Sequence, residues 1–261
     1  MDNILNKLQP LLIAIQFLSS IPVGKMPMPK EQDIGASLTY YPLVGVGLGL
    51  LLSASAFILM SVFESALSAA LLLAIWVYLS GALHIDGLAD CADAWIGGLG
   101  SKKRTLELMK DPTSGPFAII VLILVMLIKY TAIEALLSLP WVQQSYYLVF
   151  ILPLVLSRMS AMILFATTPY ARKSGLGKAI SEHLSTNAVW MVSCVVLLLT
   201  SLILRWQLLP VMVLGIVGFL YLRSLMLKRI DGCTGDTAGA LIELTEVLIL
   251  LGLLISIGWV S

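Results

Sequence analysis

The chain has 261 residues, 59% of them hydrophobic and only 12% charged, with a mean hydropathy of +0.98 and a formal net charge of +1. A soluble domain carries about 25% charged residues, so this composition excludes an ordinary soluble fold, and the near-zero net charge offers no field to attract nucleic acid. Cys91, Cys194 and Cys233 are scattered without C-x-x-C spacing, which predicts neither a disulfide framework nor a zinc site.

A helix needs roughly 20 apolar residues to cross about 30 Å of hydrocarbon. Runs of that size lie at Leu38–Phe63, Ser65–Leu83, Phe117–Leu137, Tyr146–Ala166, Ala188–Leu204, Val211–Leu222 and Ala238–Val260, the Val211 run being short without its flanks. The segment Ile4–Ile21, interrupted by Pro10, is an eighth span or an amphipathic helix in the interface, and no cleavable leader is expected there. The predicted fold is all-α: a polytopic integral membrane bundle of about seven or eight transmembrane helices, one domain over residues 1–261. Gly45 and Gly49, four apart, predict a small-residue face for close helix packing.

Alternating the loops puts Lys25, Lys30, Lys102, Lys103, Arg104, Lys110, Arg172, Lys173, Lys178, Arg223, Lys228 and Arg229 on one side. The other side holds Arg205, with Lys7 if the first segment spans. By the positive-inside rule the first side is cytoplasmic. Every long polar loop lies on that side, which suits an enzyme acting on cytoplasmic substrates better than a transporter.

The stretch HIDGLADCADAW, His84 to Trp95, places Asp86, Asp90 and Asp93 at i, i+4 and i+7. On a helix these share one face within about 60°. Three carboxylates on one stripe repel each other unless a cation sits among them, and oxygen donors favour Mg2+, Mn2+ or Ca2+ over zinc. Downstream, SKKRTLELMKDPTSGP predicts a short helix capped by Ser101 and stopped before Pro112. Asp111 is placed to fold back as a further metal ligand, Lys110 to meet a phosphate, and Lys102, Lys103 and Arg104 to meet either substrate or anionic lipid.

Charged residues inside spans are costly and need partners. Lys129 and Arg158 are two such residues, and Glu243 and Glu246 descend into the last span behind Asp236, a predicted N-cap. Arg158 is the expected partner of the glutamates. The loop PYARKSGLGK supplies Arg172, Lys173 and Lys178 beside Gly175 and Gly177, a basic segment suited to phosphate or nucleotide.

Taken together, FLSSIPVG, YYPLVGVGLG, GALHIDGLADCADAWIGG, MKDPTSGPFA, KYTAIEAL, LSRMSAM, PYARKSGLG and GDTAGALIELTEVLIL resemble, in that order and nearly end to end, the cobalamin-5′-phosphate synthase (adenosylcobinamide-GDP ribazoletransferase) family. The resemblance implies a Mg2+-dependent membrane enzyme that joins adenosylcobinamide-GDP to α-ribazole or its 5′-phosphate and releases GMP. For that reaction Asp86, Asp90 and Asp111 are expected as metal ligands, Asp93 as general base with a metal-bound alkoxide as the rival route, and His84 and Lys110 as orienting or neutralising phosphate. Lys103, Arg104, Arg158, Arg172, Lys173, Asp236 and Glu243 are then expected on the substrates. Where the family often reads M-K-D-S-R-x-G-x-x-G, this chain has Pro112, Thr113 and Ser114 after Asp111, and Ala118 at the last glycine. The missing arginine's contact would fall to Lys102, Lys103, Arg104 or Arg172. Membrane lipid is an expected partner, nucleic acid is not, and a homo-oligomer remains open. The rival readings are a CDP-alcohol phosphotransferase, whose D-x-x-D-G start and A-R pair are lacking here, and a cation or corrinoid carrier.

Overall fold

The computed structural model describes residues 2–24, 26–145, 147–204 and 208–258. Its helices are α1 (Asp2–Leu18), α2 (Glu31–Ser37), α3 (Tyr41–Met60), α4 (Ser65–Leu79), α5 (Leu83–Gly97), α6 (Lys102–Leu108), α7 (Pro116–Leu137), α8 (Pro140–Gln144), α9 (Ile151–Thr167), α10 (Leu176–His183), α11 (Thr186–Leu204), α12 (Leu208–Ile230) and α13 (Gly235–Gly258). Short 3-10 turns at Leu38–Tyr40 and Leu148–Phe150 lead into α3 and α9. Among the described residues, six segments carrying α3, α7, α9, α11, α12 and α13 are long and apolar enough to cross a membrane. Helix α4 reaches that length only together with α5, from which it is bent by 89°. Six of the seven expected runs appear as helices of crossing length, the Val211 run gaining its flanks to give Leu209–Ile230, while the Ser65–Leu83 run is α4 and the bend into α5. In the first segment only Leu8–Leu18 is an apolar helix, short of a crossing. Lys25, Arg205, Tyr146 and Val260, used in the span and charge assignments, lie outside the described residues, as does the side chain of Lys7.

Helices α9 and α13 form the centre, with 78% and 72% of their spans buried, whereas α11 and α12 bury only 17% and face outward. Gly45 and Gly49 let α3 lie directly on α9: a Cβ at Gly45 would sit 2.6 Å from the Leu154 carbonyl oxygen, and one at Gly49 2.5 Å from the Ile151 Cα. The small-residue face predicted for that pair is therefore the α3–α9 contact.

The intramembrane charges find one another in the core. Lys129 Nζ lies 3.0 Å from Glu243 Oε2 and also bonds Glu246, which in turn holds Arg158 Nη1. The Trp76 ring lies 4.6 Å from Lys129 Nζ, placing an aromatic face under the ammonium. Two cations and two acids make this buried group neutral, the condition for keeping ionised side chains in a low-dielectric interior.

The α4–α5 corner is built at Gly81 and Ala82, both left-handed at φ 72° and 57°, while the Ser20 amide donates to the Leu79 carbonyl at 2.9 Å and closes the end of α4. Thus the chain turns sharply after α4, and α5 lies over the starts of α7 and α13. The polar segments meet on that same end. Lys102 pairs with Asp231 at 2.8 Å, Arg229 donates to the Trp95 carbonyl at 2.7 Å, and Ala171 donates to the Cys233 carbonyl at 2.8 Å. Helix α10 covers this end from the side, pressed onto α2 at Gly35, where a Cβ would reach the His183 backbone at 2.5 Å.

Candidate active site

Helix α5 carries the site because it can lie almost against α13. A Cβ at Gly87 would meet the Asp236 carbonyl oxygen at 2.7 Å, and one at Gly239 the His84 Cα at 3.1 Å. This glycine-on-glycine crossing brings Asp86 and Asp90, on successive turns of α5, beside Asp236 in the first turn of α13. Asp236 is free for that role because Thr234 caps α13 instead: the Thr237 amide donates to Thr234 Oγ1 at 3.2 Å, and the Thr234 amide to Thr237 Oγ1 at 2.8 Å. This corrects the N-cap expected at Asp236. Its Oδ2 accepts from Arg172 Nη2 at 2.6 Å.

Half-burial pushes the Asp90 pKa up to about 6, reinforced by the neighbouring Asp86 and Asp236 carboxylates and relieved in part by Arg172. The cluster therefore carries an excess of negative charge that the protein does not neutralise by itself. Among the described residues no three His, Cys, Asp or Glu side chains converge closely enough to hold an ion unaided. Mg2+ typically takes one or two carboxylates and fills its octahedron with water and substrate phosphate oxygens, so Asp86 and Asp90, with Asp236 opposite, suit that cation as donors.

A cavity of about 500 Å³ opens beside the cluster. Asp86, Lys110, Arg172 and Asp236 stand on its polar side, and Phe17, Tyr41, Phe165 and Tyr170 on its apolar side. Tyr170 stacks on Phe165 with ring centroids 6.3 Å apart, and the backbone exchange between Pro169–Ala171 and Cys233 fixes the Arg172 loop against α13. His84 also lines the cavity; it is buried, and its Nδ1 has no hydrogen-bond partner. Burial, together with the nearby Arg158 cation, pushes its pKa down to about 3, which favours the neutral imidazole.

Other expected site residues are placed elsewhere. Both Asp93 oxygens accept from the start of α7, from the Gly115 amide and from the Ala118 amide at 3.0 Å, so this carboxylate caps a helix and does not line the cavity. Asp111 is exposed and accepts from the Thr113 amide at 3.0 Å and its hydroxyl at 2.6 Å, bonds that hold its pKa below the usual carboxylate range. It too is absent from the cavity wall. Arg158 and Glu243 are fully buried in the neutral core group. Lys103 and Arg104 lie within 4.0 and 3.8 Å of Glu107 on the surface of α6, and Lys173 is exposed outside the cavity. Of the four cations proposed to replace the missing arginine, only Arg172 faces the cavity.

A family model described as cobalamin-5-phosphate synthase matches residues 10–254. The chain belongs to the cobalamin-5-phosphate synthase family. It is 48% identical over 245 residues to an adenosylcobinamide-GDP ribazoletransferase of Pseudomonas putida (strain GB-1), covering 94% of this chain and 98% of the relative. The relative of the same name from Pseudomonas fluorescens (strain Pf0-1) is 46% identical over 244 residues, with the same coverage. That of Stutzerimonas stutzeri (strain A1501) is 47% identical over 249 residues, 95% of this chain and 99% of the relative. No solved structure matches the chain significantly.

Two features of the structure escaped the sequence. The Thr234–Thr237 cap could have been read from a threonine three before another at a helix start. The Trp76 face under Lys129 had no signal, because the two residues are brought together only by packing.

Proposed function

We propose that the chain is an adenosylcobinamide-GDP ribazoletransferase. It joins adenosylcobinamide-GDP to α-ribazole or α-ribazole 5′-phosphate, releasing GMP, on the cytoplasmic face of the inner membrane. The observation that supports the site assignment is the cavity on which Asp86 and Asp236 stand with Arg172 and Lys110, with Asp90, one turn further along α5 and outside the cavity wall, within electrostatic reach of both acids. The near end-to-end similarity to relatives of that name supports the reaction. The basic loops gathered on the same end support the cytoplasmic orientation.

The transfer exchanges a phosphoanhydride link for a phosphodiester link. The ribose 3′-hydroxyl of the nucleoside attacks the cobinamide-side phosphorus of the pyrophosphate, the bridging P–O bond breaks, and GMP leaves with the electron pair. Such reactions depend on positioning and charge compensation more than on covalent chemistry by the protein. A Mg2+ ion held by Asp86 and Asp90, with Asp236 opposite, would polarise the reacting phosphorus and offset charge on the leaving phosphate. Arg172 and Lys110 bind the phosphate oxygens. Arg172 exchanges its bond to Asp236 for a substrate phosphate, which leaves Asp236 an open acceptor at the cluster. The neutral His84 offers its unpartnered Nδ1 to a substrate polar group at the inner end of the cavity. Asp93 acts earlier in the chain of causes, by fixing α5 to α7.

The test is GMP release by the purified full-length protein from adenosylcobinamide-GDP, offered α-ribazole or its 5′-phosphate with and without Mg2+. Release that needs either acceptor and the cation supports the reading. Absence of release, with turnover of CDP-diacylglycerol instead, would replace it by the phosphotransferase alternative.

A further inference from the structure

A second polar cavity, of about 490 Å³, lies on the same end of the bundle and shares no lining residue with the first. Trp95, Lys102, Leu225, Lys228, Arg229 and Asp231 form its wall. Three cations against one acid leave it net positive. Arg229 is held in place by the Trp95 and Gly98 carbonyls at 2.7 and 3.3 Å, its guanidinium 5.9 Å from the Trp95 ring. Lys102 is engaged by Asp231 at 2.8 Å, whereas exposed Lys228 has no ion pair among the described residues.

What lies beneath the cavity identifies the occupant. Val217, Tyr221, Leu225 and Lys228 follow one another at helical spacing, a single stripe along the outer face of α12. Val217 and Tyr221 are 59% and 62% exposed. An apolar stripe on an outward-facing span, rising into a cationic pocket, matches an amphiphile with an acyl chain and a phosphate. The geometry points to a binding site for an anionic phospholipid, with the headgroup phosphate between Lys228 and Arg229 and the acyl chain along α12. Basic pockets at helix ends commonly hold such headgroups. A free phosphate would use the cations but leave the stripe unused. The site is independent of the transfer reaction, although Arg229 ties it to the end of the helix that carries Asp86 and Asp90.

The test titrates the purified full-length protein in neutral detergent with phosphatidylglycerol, phosphatidylcholine or sn-glycerol 3-phosphate and follows the melting temperature. Phosphatidylglycerol alone should raise it. Lys228→Gln should weaken the phosphatidylglycerol midpoint about fivefold, the effect of one basic residue near an anionic surface. Asp231→Asn should shift it about as far the other way by releasing Lys102. Asp231 has φ 55°, a conformation asparagine accepts, and tighter binding is not an outcome that misfolding produces. Equal stabilisation by phosphatidylcholine, full stabilisation by glycerol phosphate, or an unmoved midpoint in both variants would overturn the site.

Discussion

Glu246→Gln is the substitution that reaches deepest into the fold. Glu246 is fully buried and holds both Lys129 and Arg158, and the only other acid in the group is Glu243, which bonds Lys129 at 3.0 Å. The substitution changes the group from two cations and two acids to two cations and one acid. An uncompensated charge remains in the membrane interior, and breaking a buried pair in this way costs about 3–5 kcal/mol. For a chain of this size that corresponds to a fall of roughly 6–20 °C in melting temperature. The control is the double variant Lys129→Met/Glu243→Leu, which removes one charge of each sign and keeps Arg158 with Glu246; it should lie much closer to the parent. The assay is thermal unfolding of the three proteins side by side in one detergent. If Glu246→Gln melted with the parent, or the neutral double variant fell as far as the single one, charge balance would not be what holds this core together.

The remaining predictions concern the site. Asp93→Ala removes the cap of α7 and should cost about 1–2 kcal/mol of stability, read as a lowered melting temperature. Gly87→Ala places a methyl 2.7 Å from the Asp236 carbonyl oxygen, so α5 and α13 must part; GMP release should fall by about 5- to 150-fold if the 1–3 kcal/mol that overpacking costs appears in the barrier. Arg172→Lys keeps a positive charge but loses the planar fork, and should raise the KM for adenosylcobinamide-GDP several-fold while leaving protein stability within about 0.5 kcal/mol.

The fold was legible because most spans announce themselves as long apolar runs with few charges, and because Gly45 and Gly49 at one helical turn's spacing favour a close contact. The bend at Gly81–Ala82 was not legible, since an alanine in the left-handed region is chosen by packing and not by its own preference. The consequence of that bend is the turn of α5 over two helix starts, which separates the three aspartates of one stripe. Asp86 and Asp90 face Asp236, while Asp93, a turn further along, reaches the orphan amides of α7. Spacing gave their common direction but not the neighbours each would meet. The charges in the last span illustrate the same division. Their need for partners followed from the cost of burial, and the pairing of Arg158 with a glutamate was foreseen. That Lys129 would bridge both glutamates, and so keep Arg158 and Glu243 off the cavity wall, is a matter of helix azimuth that one sequence does not carry.

The most direct test of the carboxylate cluster is the rate of GMP release by Asp90→Asn over a range of Mg2+ concentrations, with correct folding verified by an unchanged melting profile. Loss of more than about 100-fold in rate at ordinary Mg2+, beyond the 10–100-fold typical of residues that merely support a metal ligand, is the expected result. Near-parental release at the same Mg2+ concentration would contradict the assignment of this cluster to catalysis.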